Sequence, residues 1–299
     1  MMHAPTEARV RLIAIALMVA TVTIFPIMDS MAKHLGKTYS IPEVVWARYA
    51  FHMIFVGALF ARRGALRYLK SRNPRLQLLR AVLILCATGL FFTALRFVPL
   101  ADCIAINFMA PLLAVGFSIP LLGERVERHR WVVLAIGFAA VLVVVRPGFA
   151  GFHPASLLVC VSASCYGMYQ IITRKLAAFD HPLTTLFYTG VAGTLIAGLA
   201  LPFLWVAPDW RDWALMAMMG LLGGLSHYLL IQAYARASPA ILAPFSYCQI
   251  IVGTAVGYLW FGDFPDEWTA LGATAIIGCG LYLVWREARG RDDKRPIGG

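Results

Sequence analysis

Long apolar runs dominate the chain and are broken at short intervals by charged or turn-forming residues. A helical crossing of a bilayer takes about 20 apolar residues. At that length the runs predict ten spans, at approximately 10–33, 42–61, 76–97, 100–122, 130–146, 154–175, 182–203, 213–236, 239–262 and 268–286. Strands of a membrane barrel would be ~10 residues long and would alternate in polarity, whereas VLAIGFAAVLVVV, residues 133–145, does not alternate. The first run follows Arg9 and Arg11 as the core of a signal peptide would. No small-residue cleavage pattern comes after it, and Asp29 and Lys33 close it, so it reads as span 1. The expected fold class is an all-α integral membrane protein with ten transmembrane helices.

The spans differ in polarity. Span 5 has no polar side chain over 132–145, and span 10 has little beyond Thr269, Thr274 and Tyr282, so both suit a lipid-facing periphery. Span 6 carries Ser162, Tyr166, Tyr169, Gln170 and Thr173 along one helical face. Span 9 has Ser246, Gln249 and Gly253 at i, i+3 and i+7, beside Tyr247. Span 8 has Ser226, His227, Tyr228 and Gln232. Asn107 precedes Pro111 in span 4, Thr88, Phe91, Phe92 and Thr93 lie in span 3, and Pro26, Asp29 and Ser30 in span 1. Together these faces predict a water-accessible cavity between helices. The candidate ligand-binding residues are Phe92, Asn107, Tyr166, Tyr169, Gln170, His227, Tyr228, Ser246, Tyr247 and Gln249.

Each candidate has a plainer reading. A membrane Ser or Thr commonly bonds its own helix carbonyl or ties two helices together, and the aromatics serve equally as packing. Amides are costlier to bury without partners, which gives Asn107, Gln170 and Gln249 more weight. A charge at mid-membrane costs about 3 kcal/mol. Arg48 follows Pro42 closely enough to reach the outer interface, and Asp29 has Arg48 and Lys33 as possible partners. Asp29, Arg48 and His52 are also candidates for ion or proton coupling. GTAVG, residues 253–257, fits close helix packing, either within the chain or between copies.

The sequence also repeats itself. Arg96 and Pro99 match Arg236 and Pro239, Gly123–Glu124 matches Gly262–Asp263, and Trp131 with Leu134 matches Trp268 with Leu271, all in the same order. Lys33–His34–Leu35 is echoed by Arg174–Lys175–Leu176, with Pro42 and Pro182 opening the next spans. Five spans per half place the halves in opposite orientations. Residues 1–150 form the first five-helix repeat, 151–290 the second, and 291–299 a tail. Inverted repeats are a signature of transporters, with the site near the midplane between halves.

Composition agrees with the spans: the chain is 60% hydrophobic and 14% charged, with mean hydropathy +0.74, where soluble domains are about one quarter charged. The net charge of +11 reflects topology rather than nucleic acid. With the N-terminus inside, twenty Lys and Arg fall on the inner side, seven of them around loop 2–3 from Arg62 to Arg80. Five fall outside: Lys33, Lys37, Arg96, Arg146 and Arg211. The positive-inside rule then puts both termini in the cytoplasm. The six cysteines all lie within spans and form no metal or redox spacing.

GLFFTALRFVPLADCIAINFMAPLLAVGFSIPLLGERV (89–126), its second copy AYARASPAILAPFSYCQIIVGTAVGYLWFGD (233–263), and Pro42 through Arg48 resemble the drug/metabolite transporter superfamily in its ten-span, EamA-type bacterial exporter branch. The second copy departs from the family pattern in having Gly262–Asp263 where Gly–Glu is usual. The resemblance implies a bundle in the bacterial inner membrane, with a central cavity formed by spans 1–4 and 6–9 and spans 5 and 10 outside it. It also implies export of amino acids, aromatic ones included, or of related small metabolites. The alternatives are an exporter of organic cations or drugs such as methyl viologen, and a channel.

No Walker A, HExxH or GxSxG pattern occurs. Hence no cofactor, metal or catalytic residue is expected, and no intrinsic ATP-driven pump. The expected partners are a small-molecule substrate and membrane lipid. The sequence does not separate a monomer from an oligomer, or proton coupling from facilitated diffusion.

Overall fold

A computed structural model describes residues 7–63, 69–122, 128–148, 152–176, 178–234, 236–237, 242 and 245–292. Twelve helices are defined among them: α1 Glu7–Leu35, α2 Ile41–Arg63, α3 Pro74–Leu95, α4 Leu100–Asn107, α5 Met109–Leu122, α6 Arg128–Val145, α7 Ala155–Leu176, α8 Pro182–Gly198, α9 Leu201–Leu204, α10 Trp210–Tyr234, α11 Cys248–Phe261 and α12 Glu267–Asp292. No strand occurs among the described residues. Five of these helices are long and apolar enough to cross a bilayer, and shorter apolar helices run over Leu100–Ala114, Trp131–Val145 and Cys248–Phe261. The chain is an all-α integral membrane protein whose ten spans form two inverted five-helix repeats, with α4 and α5 together making span 4.

The break inside span 4 has a local cause. Pro111 has no N–H to give the Asn107 carbonyl one turn back. The helix accordingly stops at Asn107 and restarts at Met109. The equivalent Pro244, and Pro239, lie outside the described residues.

Helix contacts respect the repeat. The pairing of α1 with α10 is matched by that of α7 with α3, and α1 on α11 by α7 on α5. Likewise α2 on α10 is matched by α8 on α3, while α2 with α8 and α6 with α12 are their own counterparts. Such exchange symmetry is what a pseudo-two-fold axis between halves produces. Helices α6 and α12 stand outside the central ring and present Trp131, Ile136, Phe138, Trp268 and Leu271 outward, as the polarity of spans 5 and 10 predicts.

Polar ties close both ends. At one end Lys33 of α1 meets Asp263 at 2.6 Å and Arg146 meets Asp266 at 2.6 Å. Tyr39 donates to Asp212 at 2.6 Å, and Arg96 donates to the Tyr39 carbonyl. At the other end Asp180, before α8, accepts from the Ser71 hydroxyl, from the Arg72 N–H at 2.9 Å and from Gln77 Nε2 at 2.8 Å. The GTAVG segment packs within the chain: a methyl at Gly253 would lie 2.3 Å from Ile104 of α4.

Candidate functional site

Arg48 sits at the centre of the bundle because α2 is gripped from both sides. A methyl group at Gly193 of α8 would lie 2.3 Å from the Tyr49 ring, and one at Gly220 of α10 would lie 2.8 Å from the Arg48 carbonyl. Only a missing side chain lets helices approach this closely. Arg48 is therefore 6% exposed and does not extend to the interface that its distance from Pro42 would permit. It donates to Thr88 Oγ1 at 2.7 Å and Tyr49 Oη at 3.2 Å, and its guanidinium lies 5.7 Å from the Phe92 ring centre.

Two adjoining cavities meet at Arg48 and His227. The larger, about 110 Å³, lies between α1, α2, α3, α4, α7, α10 and α11. Its polar groups are Asp29, Arg48, Thr88, Asn107, Ser162, Tyr166, His227 and Gln249, and its aromatic wall includes Phe25, Phe91 and Phe92. Asn107 Oδ1 is buried without a hydrogen-bond partner at the end of α4, where Pro111 ends the helix. A buried amide oxygen left unpaired in a protein is costly, and here it borders a cavity that a ligand donor can enter. No ion pair joins Asp29 to Arg48 or Lys33 among the described residues, and Lys33 pairs instead with Asp263. Asp29 thus stands at the cavity as the acidic counterpart of Arg48.

The smaller cavity, about 10 Å³, is bordered by Arg48, Tyr49, His52, Arg80, Tyr169, Leu186, Thr189 and His227. Arg80, which the charge count assigns to loop 2–3, lies instead inside α3 and is 3% exposed. It donates to Thr173 at 2.6 Å, Thr189 at 2.8 Å and Tyr169 Oη at 2.7 Å, and stacks 4.3 Å from the Tyr169 ring centre. A signal for it exists in the sequence: Gln77 and Arg80 continue the register of Ile84, Ala87 and Phe91, all buried on one face of α3.

The structure therefore brings Phe92, Asn107, Tyr166, His227, Gln249, Asp29 and Arg48 to one cavity, and Tyr169 and His52 to its neighbour. Gln170 is at the edge of the α7 stripe and borders neither. Tyr228 turns to Phe55 of α2, with ring centres 6.2 Å apart, and Tyr247 packs on Phe108 at 5.2 Å with its hydroxyl in the space left by Gly280. Ser246 borders neither cavity.

Outside the membrane-spanning segments, burial raises the Asp180 carboxyl, but the hydrogen bonds from Ser71, Arg72 and Gln77 and the Arg72 charge outweigh it and hold the group below its ordinary 3.8. At the opposite end, burial and the bond to Asp212 push the Tyr39 phenol up to about 12, so it remains a donor.

A polar cavity between two inverted helical repeats defines a membrane transporter. Residues 12–146 and 153–286 each match the EamA-like transporter family, and the chain belongs to that family. It is 26% identical to the S-adenosylmethionine uptake transporter of Rickettsia bellii over 89% of this chain and 91% of that protein. It is 29% identical to the riboflavin transporter of Rhizobium johnstonii over 89% and 88%, and 26% identical to the pseudopaline exporter of Pseudomonas aeruginosa over 85% and 89%. A solved crystal structure shares the fold at a TM-score of 0.64 and 18% identity, covering 94% of this chain and 98% of that one.

Proposed function

We propose that the protein carries a small zwitterionic metabolite with an amino-acid head group, and that aromatic amino acids are among its substrates. The observation that supports this most is that Asp29 and Arg48 border one cavity without pairing with each other. An acid and a base held apart in a low-dielectric site match an ammonium and a carboxylate on one ligand. Asn107 and Gln249 add neutral hydrogen-bonding groups, and Phe25, Phe91, Phe92 and Tyr166 suit an apolar or planar remainder. S-adenosylmethionine, carried by one relative, is itself an amino acid with a planar base. Relatives include both an uptake transporter and an exporter, and a gradient-driven carrier runs either way, so the proposal concerns what binds. The positive-inside rule favours cytoplasmic termini, and the family resemblance favours export.

The test is uptake of labelled tryptophan, threonine, S-adenosylmethionine and methyl viologen into proteoliposomes, with and without an imposed pH gradient. Saturable amino-acid flux with counterflow, and no flux of tryptamine, which lacks the carboxylate, is expected. Methyl viologen flux alone would replace this reading with an organic-cation exporter, and non-saturating flux without counterflow would indicate a channel.

A further inference from the structure

The small enclosed cavity carries an unusual charge pattern. Arg48 and Arg80 both border it and are both almost fully buried, and His52 and His227 complete a wall with no carboxylate. No ion pair involves Arg80 among the described residues, and its bonded neighbours are hydroxyls and the Thr185 carbonyl, all neutral. Arg48 Nε is buried without a partner, facing the gap left by Gly223, where a methyl would lie 3.5 Å away. His52 Nε2, 3% exposed as a residue, is also buried without a partner. Arginine stays charged at any accessible pH. Asp29 faces Arg48 from the adjoining cavity, but Arg80 is surrounded by neutral dipoles, so the two arginines together leave a local positive excess that buried charges in proteins do not normally carry uncompensated.

We infer that the cavity between Arg48 and Arg80 is a binding site for a small monovalent anion. Its volume of about 10 Å³ is room for roughly one water-sized sphere, which suits a halide or one end of a carboxylate and excludes a phosphate ester. The N–H of Arg80 not used by Thr173, Thr189, Thr185 or Tyr169 is the donor, and the Arg48 guanidinium supplies the second positive charge. The anion comes either from solution or as the carboxylate of a carried molecule entering past Arg48 and His227, which border both cavities. The site does not depend on which substrate is carried, since its occupancy is read without transport.

The experiment is thermal unfolding of the purified full chain in detergent, at matched ionic strength, in gluconate, chloride, bromide or acetate. At about ten times the dissociation constant, bound anion should raise the midpoint by roughly 3–5 °C, saturably. The shift should vanish in Arg80→Gln and persist in Arg211→Gln, which removes an exposed arginine. A chloride and bromide shift identifies an anion from solution, and an acetate shift without a halide shift identifies a carboxylate. Wild-type ³⁵Cl line broadening, competed by bromide or acetate, gives a reading that does not depend on Arg80→Gln folding. Equal midpoints in all four salts with no line broadening, or an undiminished shift in folded Arg80→Gln, would overturn the inference.

Discussion

Lys33 of α1 and Asp263, which precedes α12, meet at 2.6 Å and join the first repeat to the second. The Lys33 ammonium also lies 4.8 Å from the Phe261 ring centre, which fixes its direction. Of the partners the sequence offers Asp29, Lys33 is removed by this pairing, and Asp29 is left facing the cavity.

A double-mutant cycle of Lys33→Ala and Asp263→Ala should give a coupling of about 1 kcal/mol in unfolding free energy, the upper range for partly exposed ion pairs. Each single substitution should also raise cysteine-reagent access to the Lys33 end. Additive single effects and unchanged access would mean the contact ties nothing.

Asn107→Ala and Gln249→Leu should each reduce saturable flux roughly ten- to a hundredfold with folding intact, since a hydrogen bond to a charged ligand group is worth about 1.5–3 kcal/mol. Gln170→Leu, outside both cavities, should stay close to wild type. Uptake rates for the three variants decide this, and a reversed order of effects would move the site along α7.

The Asp180 tie predicts a pH dependence. The folded carboxyl lies below its ordinary value of 3.8, so its contribution is present above that value and is lost as pH falls through the folded one. Wild-type stability should therefore drop below about pH 4, and Asp180→Asn should lack this part of the drop. At neutral pH the same variant should be less stable by about 1–2 kcal/mol. Parallel pH profiles for the two proteins would show that the carboxylate contributes nothing.

Gly193→Leu and Gly220→Val should destabilise the bundle by about 1–3 kcal/mol or more through overpacking against Tyr49 and Phe51. Alanine at Gly116, where an added methyl meets nothing within 4 Å, should be tolerated. Unfolding midpoints in denaturant compare them, and similar losses at all three would detach the effect from the contact with α2.

Much of this was readable in the chain. Apolar run length predicts the spans, the odd count per half predicts inversion, and the proline at 111 predicts a break that falls four residues before it. Asn107, Tyr166, His227 and Gln249 share a cavity because polar groups in lipid-facing positions are costly, so such residues gather inside. Arg80 escaped because its partners, Thr173, Thr189 and Tyr169, lie in distant spans, and near a basic loop its charge looks like topology. Tyr228 and Tyr247 were placed by spacing alone, which fixes a helical face but not the neighbour that fills it.

Helix α2 belongs to the first repeat, yet α8 and α10 of the second hold it more extensively than α3 does, and α1 and α3 likewise lean on α10 and α7. Units of ancestry are therefore not units of assembly. A gene cut between the repeats should yield two polypeptides that are degraded when made singly and rescue one another when made together, much as two strands of a rope hold only when wound.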